Sequence, residues 1–217
     1  MIQQINSEES IDFFVLEGID GSGKTSVGKN IEKLGIKYLE TPSKRYIAEF
    51  PKPNNTFDSR FNYFMKGNEF TLSELSPEDI YLLGRYMHST IISNSLLFGK
   101  SVNQAIKNAE NYDLKKPVAT ILLTVSEEEQ FRRINERNQG INEPHDERIL
   151  TDTFFRRKTR EYFMSTAKNE GWYIIDTTNR NLDQVTQDVF TCIAHELPLL
   201  RNLNTSQFRD DVSYLIK

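Results

Sequence analysis

The sequence predicts an α/β fold, a five-stranded parallel sheet flanked by helices in three layers. Short apolar runs, of the kind buried on both faces of a parallel sheet, alternate with helical patterns along the chain. The first run leads straight into a glycine-rich loop and an amphipathic helix. No internal repeat, low-complexity tract or interdomain linker breaks the alternation, so residues 1–217 read as one domain. Such alternation builds an open sheet with right-handed crossovers.

Residues 11–17 read Ile-Asp-Phe-Phe-Val-Leu-Glu, and Phe13 to Leu16 form the first buried strand. A helix starts near Lys24, because Val27, Ile31 and Leu34 share one face, and Gly35 is its stop. Lys37–Thr41 is the second strand, and Pro51, Pro53 and the Asn54-Asn55 pair mark a loop. A helix runs from Asp58 to Leu75 with Phe61, Phe64 and Met65 on one side, punctuated by Ser76-Pro77. Asp79–Leu83 reads as the third strand, and a helical stretch follows from about Ser89 to Asn111, interrupted at Gly99. Val118–Val125 is the clearest strand, and Ser126 with Glu129 forms a capping box for the next helix. Asn138–Arg148, with Gly140 and Pro144, reads as an exposed loop. Phe154–Ala167 is helical, Trp172–Asp176 is the fifth strand, and about 196–217 form a C-terminal extension, helical or irregular.

Composition narrows the function classes. The chain is 37% hydrophobic and 27% charged, enough to bury a substantial core without disulfides or a structural metal. Its one cysteine, Cys192, excludes an internal disulfide and a cysteine-rich zinc site. A net charge of −4 argues against generic binding to nucleic-acid backbones. No run of about 18 apolar residues is present to span a membrane. The polar, acidic start lacks the pattern of a secretory signal, so the expectation is a reduced, cytoplasmic protein. His88, His145 and His195 are scattered without metal-ligand spacing.

Residues 18–25, Gly-Ile-Asp-Gly-Ser-Gly-Lys-Thr, match the phosphate-loop pattern of glycine, four residues, then Gly-Lys-Thr. Gly18, Gly21 and Gly23 let the backbone curl so that N–H groups, Ser22 among them, point at phosphate oxygens. The helix that opens at Lys24 and runs through Ser26 adds the positive end of its dipole. Lys24 reaches the outer phosphates as a point charge, and the Thr25 hydroxyl ligates magnesium. The motif's place between a buried strand and an amphipathic helix is the context its chemistry requires, and it predicts a phosphate-loop fold that binds a nucleoside triphosphate.

The stretch Phe14-Val-Leu-Glu-Gly-Ile-Asp-Gly-Ser-Gly-Lys-Thr25 closely resembles the opening of thymidylate kinases. The likeness continues to about residue 190: Arg85-Tyr86 with Ser89-Thr90 resembles the family's segment after the third strand, and Phe61–Asn68 its base-stacking helix. Val125–Glu129 resembles the lead-in to its mobile lid, here about 138–148, and Asp176-Thr177 its loop near adenine. The resemblance implies a phosphate-loop kinase that moves the γ-phosphate of MgATP to a nucleoside monophosphate, dTMP above all, and a homodimer as the usual assembly. Lys24 and Thr25 would hold ATP and Mg2+, and Asp20 would contact the acceptor sugar. Arg85, beside Tyr86, would clamp the acceptor phosphate. Phe64 would stack on the base, and Asn68 would bond its edge. Arg137, with Arg133 or Arg148, would cover the donor from the lid.

Each role has a plainer rival. Asp20 also suits a turn, and Phe64 shares a helical face with core residues. Arg133 and Arg137, four apart after Glu129, also suit a solvated, salt-bridged face. Three positions depart from the family. Gly84 stands where an aspartate precedes Arg-Tyr, and Glu17 at the end of the first strand is the substitute expected to serve the metal, with a buried, hydrogen-bonded structural acid as its plainer rival. Ser93 replaces a tyrosine beside the sugar. Glu40-Thr41-Pro42 replaces Arg-Glu-Pro, putting an acid where a phosphate-clamping arginine is expected, with Arg45 or Arg60 to compensate. Two further readings follow from these departures: a phosphate-loop kinase acting on another nucleoside or small molecule, and a nucleotide-binding protein with little turnover.

Overall fold

Phe13 through Gly18 are all buried, and that burial sets strand β1 (Phe13–Gly18) at the centre of the sheet. A computed structural model describes residues 11–138 and 144–197. It places β2 (Lys37–Glu40), β3 (Tyr81–Gly84), β4 (Ala119–Thr124) and β5 (Tyr173–Asp176) beside β1 in the order β2-β3-β1-β4-β5. Every pairing is parallel, with Leu16 opposite Gly84 on one side and Ile121 on the other. All five carboxyl ends therefore lie at one end of the sheet, where ligands bind in such folds.

Alternate residues of each strand face opposite layers. Phe14, Leu16, Leu82 and Ile121 pack under α1 (Lys24–Glu32) and α9 (Leu182–Glu196), against Val27, Ile31, Val189 and Ile193. Cys192 is fully buried in the same layer, and burial pushes its thiol above the ordinary range. On the other face lie α3 (Phe57–Ser73), α4 (Met87–Phe98) and α8 (Thr153–Glu170). There Phe13, Val15 and Leu83 join Leu72 and Tyr86, while Leu122 and Ile174 join Ile92 and Phe163. Each fully buried side chain of this size contributes about 1.5–3 kcal/mol relative to exposure.

The helical stretch expected at 89–111 is two helices. Gly99, at φ 61°, ends α4 in a left-handed turn, and the Ser101 hydroxyl caps α5 (Val102–Ala109). A short helix, α2 (Lys44–Glu49), follows the cap at Ser43 where no element was expected. After α6 (Glu127–Asn138), the second half of the expected loop at 138–148 is instead α7 (Pro144–Thr151), with proline at the first helical position. Residues 139–143 of that loop, and the C-terminal extension beyond 197, lie outside the described residues. Helix α9 was not expected either, although Asn181 and Gln184 form a full capping box before it. No described helix is long and apolar enough to cross a membrane.

Glu17 ends β1 with its carboxylate fully buried. Its Oε1 accepts from the backbone N–H of Tyr86 (3.0 Å) and of Ser89 (3.2 Å), and its Oε2 accepts from the Ser89 hydroxyl at 2.6 Å. No side chain of α4 caps that helix itself, so Glu17 caps it from the neighbouring strand. Replacing Glu17 with leucine keeps the volume but strands two buried N–H groups. Urea unfolding is expected to show a loss of about 3 kcal/mol, and a midpoint equal to wild type would refute the capping role. Glu17→Gln, which retains one carbonyl acceptor, is expected to lose less.

Candidate active site

The glycine-rich turn between β1 and α1 takes the shape its residues require. Gly21 and Gly23 sit at φ 81° and 95°, in the left-handed region that side-chain-bearing residues avoid. Gly23 is also the N-cap of α1 and carries no side-chain cap, so the helix start presents its N–H groups outward. The Lys24 ammonium folds back over the turn, donating to the carbonyls of Gly18 (2.7 Å) and Ile19 (2.8 Å). Burial, followed by repulsion from Arg85, pushes the lysine down to about 7, against attraction from Asp20 and Glu17. The Ser22 hydroxyl is buried without a hydrogen-bond partner.

Two cavities open from this turn. One, of about 630 Å³, is bordered by Gly21, Gly23, Lys24, Thr25 and Ser26 and reaches Arg133 and Arg137. The other, of about 350 Å³, lies on the far side of Asp20 and includes Arg60, Phe64, Tyr86 and Arg148. Asp20, Thr41 and Arg85 line both. Arg85 holds φ 81°, an unusual conformation for a non-glycine residue. Its N–H bonds Leu16, its carbonyl accepts from the Thr41 hydroxyl at 2.9 Å, and its guanidinium pairs with Asp20. The Gln130 amide braces the Asp20 carbonyl at 2.7 Å.

On the wall of the larger cavity the Thr25 hydroxyl donates to Glu40 Oε1 at 3.1 Å. A threonine hydroxyl and a carboxylate are hard oxygen donors of the kind magnesium takes, and both face the space beside Lys24. No cluster of three acidic, histidine or cysteine side chains suits a metal among the described residues. The donor set therefore fits an ion that takes its remaining ligands from phosphates and water.

The sequence-predicted residues divide. Lys24, Thr25, Ser26, Arg133 and Arg137 come together at the larger cavity. Arg60, Phe64, Arg85, Tyr86 and Asp20 come together at the smaller one. Phe64 leaves the core to Phe61 and Met65, and the Arg60 guanidinium lies 5.5 Å over its ring. Three placements correct the sequence reading. Glu17, expected at the metal, lines neither cavity because its carboxylate is committed to the start of α4. Arg148, expected over the donor, lines the smaller cavity. Asn68 is buried on α3 and lines neither cavity, its amide nitrogen unpaired. Arg133 is a brace: it donates to Glu129, to the Gly21 carbonyl and to Thr177. Hydrogen bonds from Arg132 and then Arg133 hold the Glu129 carboxyl down to about 2, against the pull of burial.

Sequence reasoning missed Thr41, which joins the two cavities, and the apolar wall of Ile92, Leu97, Phe155 and Phe163. Their spacing carried only a core signal. It also missed Tyr38, whose ring crosses the end of β3.

A profile of the thymidylate kinase family matches residues 68–189, more than half of the chain. A probable thymidylate kinase of Sulfolobus acidocaldarius is 30% identical over 190 residues, spanning 82% of this chain and 93% of that one. One from Methanocaldococcus jannaschii is 27% identical over 188 residues, with the same coverage of 82% and 93%. Among solved structures, thymidylate kinase from Candida albicans superposes with a TM-score of 0.62 at 20% identity, covering 95% of this chain and 97% of its own. The chain, with its phosphate loop at the carboxyl end of a central parallel strand, belongs to the thymidylate kinase family of ATP-dependent nucleoside monophosphate kinases.

Proposed function

We propose that the protein transfers the γ-phosphate of MgATP to a nucleoside monophosphate, dTMP first among them. The observation that carries this reading is the shared wall: a phosphate-binding cavity and a second, arginine-bearing cavity meet at Asp20, Thr41 and Arg85. Phosphoryl transfer needs alignment and charge neutralisation more than covalent help from the protein.

The donor phosphates lie along the loop N–H groups, where Lys24 exchanges its bonds to Gly18 and Ile19 for bonds to phosphate oxygens. Magnesium bound with ATP neutralises charge on the triphosphate, and Thr25 with Glu40 would hold it. Arg85 clamps the acceptor phosphate at the junction, oriented by Asp20 and by Thr41. The acceptor oxygen displaces ADP from the γ-phosphorus. Arg60, Arg85 and Arg148 all line the acceptor cavity, which favours an anionic monophosphate over a neutral nucleoside or small alcohol. Phe64 offers a ring for the base, flanked by the apolar wall.

An acceptor panel tests this. With MgATP, dTMP is expected to raise ADP production well above background, and thymidine is not. Turnover with nucleosides alone would overturn the reading, as would tight MgATP binding with no transfer to any monophosphate. Lys24→Ala is expected to lower kcat/KM for ATP by about a hundredfold or more. Arg85→Ala is expected to raise the dTMP KM and lower kcat together, leaving ADP affinity within about threefold.

Lys24 also predicts a pH effect with a definite sign. In the free protein its ammonium is depressed to about 7, so at pH 8 it is mostly neutral. Phosphate oxygens favour the charged form, so binding raises the pKa and draws in a proton. Calorimetry of ADP binding in two buffers of different ionisation enthalpy is expected to show uptake of most of a proton at pH 8. Little uptake is expected at pH 6, and Lys24→Met is expected to abolish the difference between the two.

A further inference from the structure

We propose that Glu40, at the carboxyl end of β2, supplies the carboxylate of this protein's magnesium site, one strand further from β1 than its immediate neighbour β3. The inference rests on the phosphotransferase reading and assigns within it a residue whose charge otherwise looks wrong for phosphate binding.

A phosphate loop offers magnesium one hydroxyl, and a nearby strand end offers an acid. The strands beside β1 end without one, β3 at Gly84 and β4 at Thr124. Glu17 is fully buried and committed to Tyr86 and Ser89. Asp20 is paired with Arg85 at the junction of the two cavities. Among the described residues that line the donor cavity, Glu40 is the other carboxylate. It stands in register with Gly84 and already accepts from the hydroxyl of Thr25 at 3.1 Å.

The space at the end of β3 is occupied independently of that contact. A Cβ at Gly84 would lie 2.2 Å from the Tyr38 hydroxyl, and a Cβ at Gly28 on α1 would lie 2.3 Å from the Tyr38 ring. The phenol thus fills the space into which an acid at position 84 would project, and two glycines make room for it. Tyr38 and Glu40 are two residues apart on one strand, so their side chains leave the same face. Gly28, Tyr38, Glu40 and Gly84 form one interlocked set. The phenol excludes a carboxylate from β3, and the same strand brings one to Thr25.

Glu40→Gln in the full-length protein tests this, with ADP binding measured by calorimetry with and without Mg2+. Metal-free ADP affinity is expected to stay within about twofold of wild type. The tightening that Mg2+ confers is expected to shrink at least tenfold. Electron paramagnetic resonance with Mn2+ and ADP is expected to show a weakened ternary complex. Unchanged metal dependence in Glu40→Gln would overturn the proposal. So would a lowered acceptor KM with the metal response intact, which would assign Glu40 to the acceptor side. Gly84→Asp alone is expected not to tighten Mg2+ binding, because Tyr38 occupies its space. A gain in metal affinity from that single change, with Glu40 present, would count against the proposal. Failure of the wild-type protein to bind ADP under any condition would instead overturn the phosphotransferase reading itself.

Discussion

The carboxylate of Glu17 ties the end of the central strand to the first turn of α4, and the site depends on that tie. It fixes where the chain turns after β3, and so fixes Arg85, whose N–H is held by Leu16 and whose carbonyl is held by Thr41. A buried carboxylate with three donors is strongly favoured over one left unpaired. The left-handed backbone at Arg85 costs about 1–3 kcal/mol, and the surrounding bonds absorb it. One electrostatic knot therefore sets the distance between a phosphate-binding turn and the guanidinium that faces it.

The interlock of Tyr38 with Gly28 and Gly84 works at the neighbouring strand end. It fills the space at the end of β3 with an aromatic ring, and the carboxylate that meets Thr25 comes from β2. In the proposed reading, a charge reversal at position 40 and a lost acid at position 84 are one coordinated change, whereas each alone would look like damage. The smaller cavity keeps its positive character through Arg60, Arg85 and Arg148, which come from three different helices or turns.

Much of this was legible in the residue order. Central parallel strands are buried on both faces, so Phe13–Leu16 and Ile121–Leu123 read as unbroken apolar runs. The phosphate loop announced itself by spacing alone. Helix α9 went unread although Val185, Val189 and Ile193 repeat at helical spacing behind a capping box. The six-residue α2 is too short to show a period. The placements of Glu17 and Glu40 could not be read locally. Which of two acids meets Thr25 depends on strand order and on an aromatic ring that crosses from β2 over β3, and neither leaves a mark in neighbouring residues.

Cys192 lies sealed between α9 and the sheet, and it is the only thiol in the chain. A maleimide or disulfide reagent can meet that sulfur only in molecules whose α9 has lifted from the sheet or whose whole body has come apart. The rate of its modification is thus a clock for opening of the layer behind the phosphate loop. The native sequence already carries that single reporter, with no engineered cysteine needed.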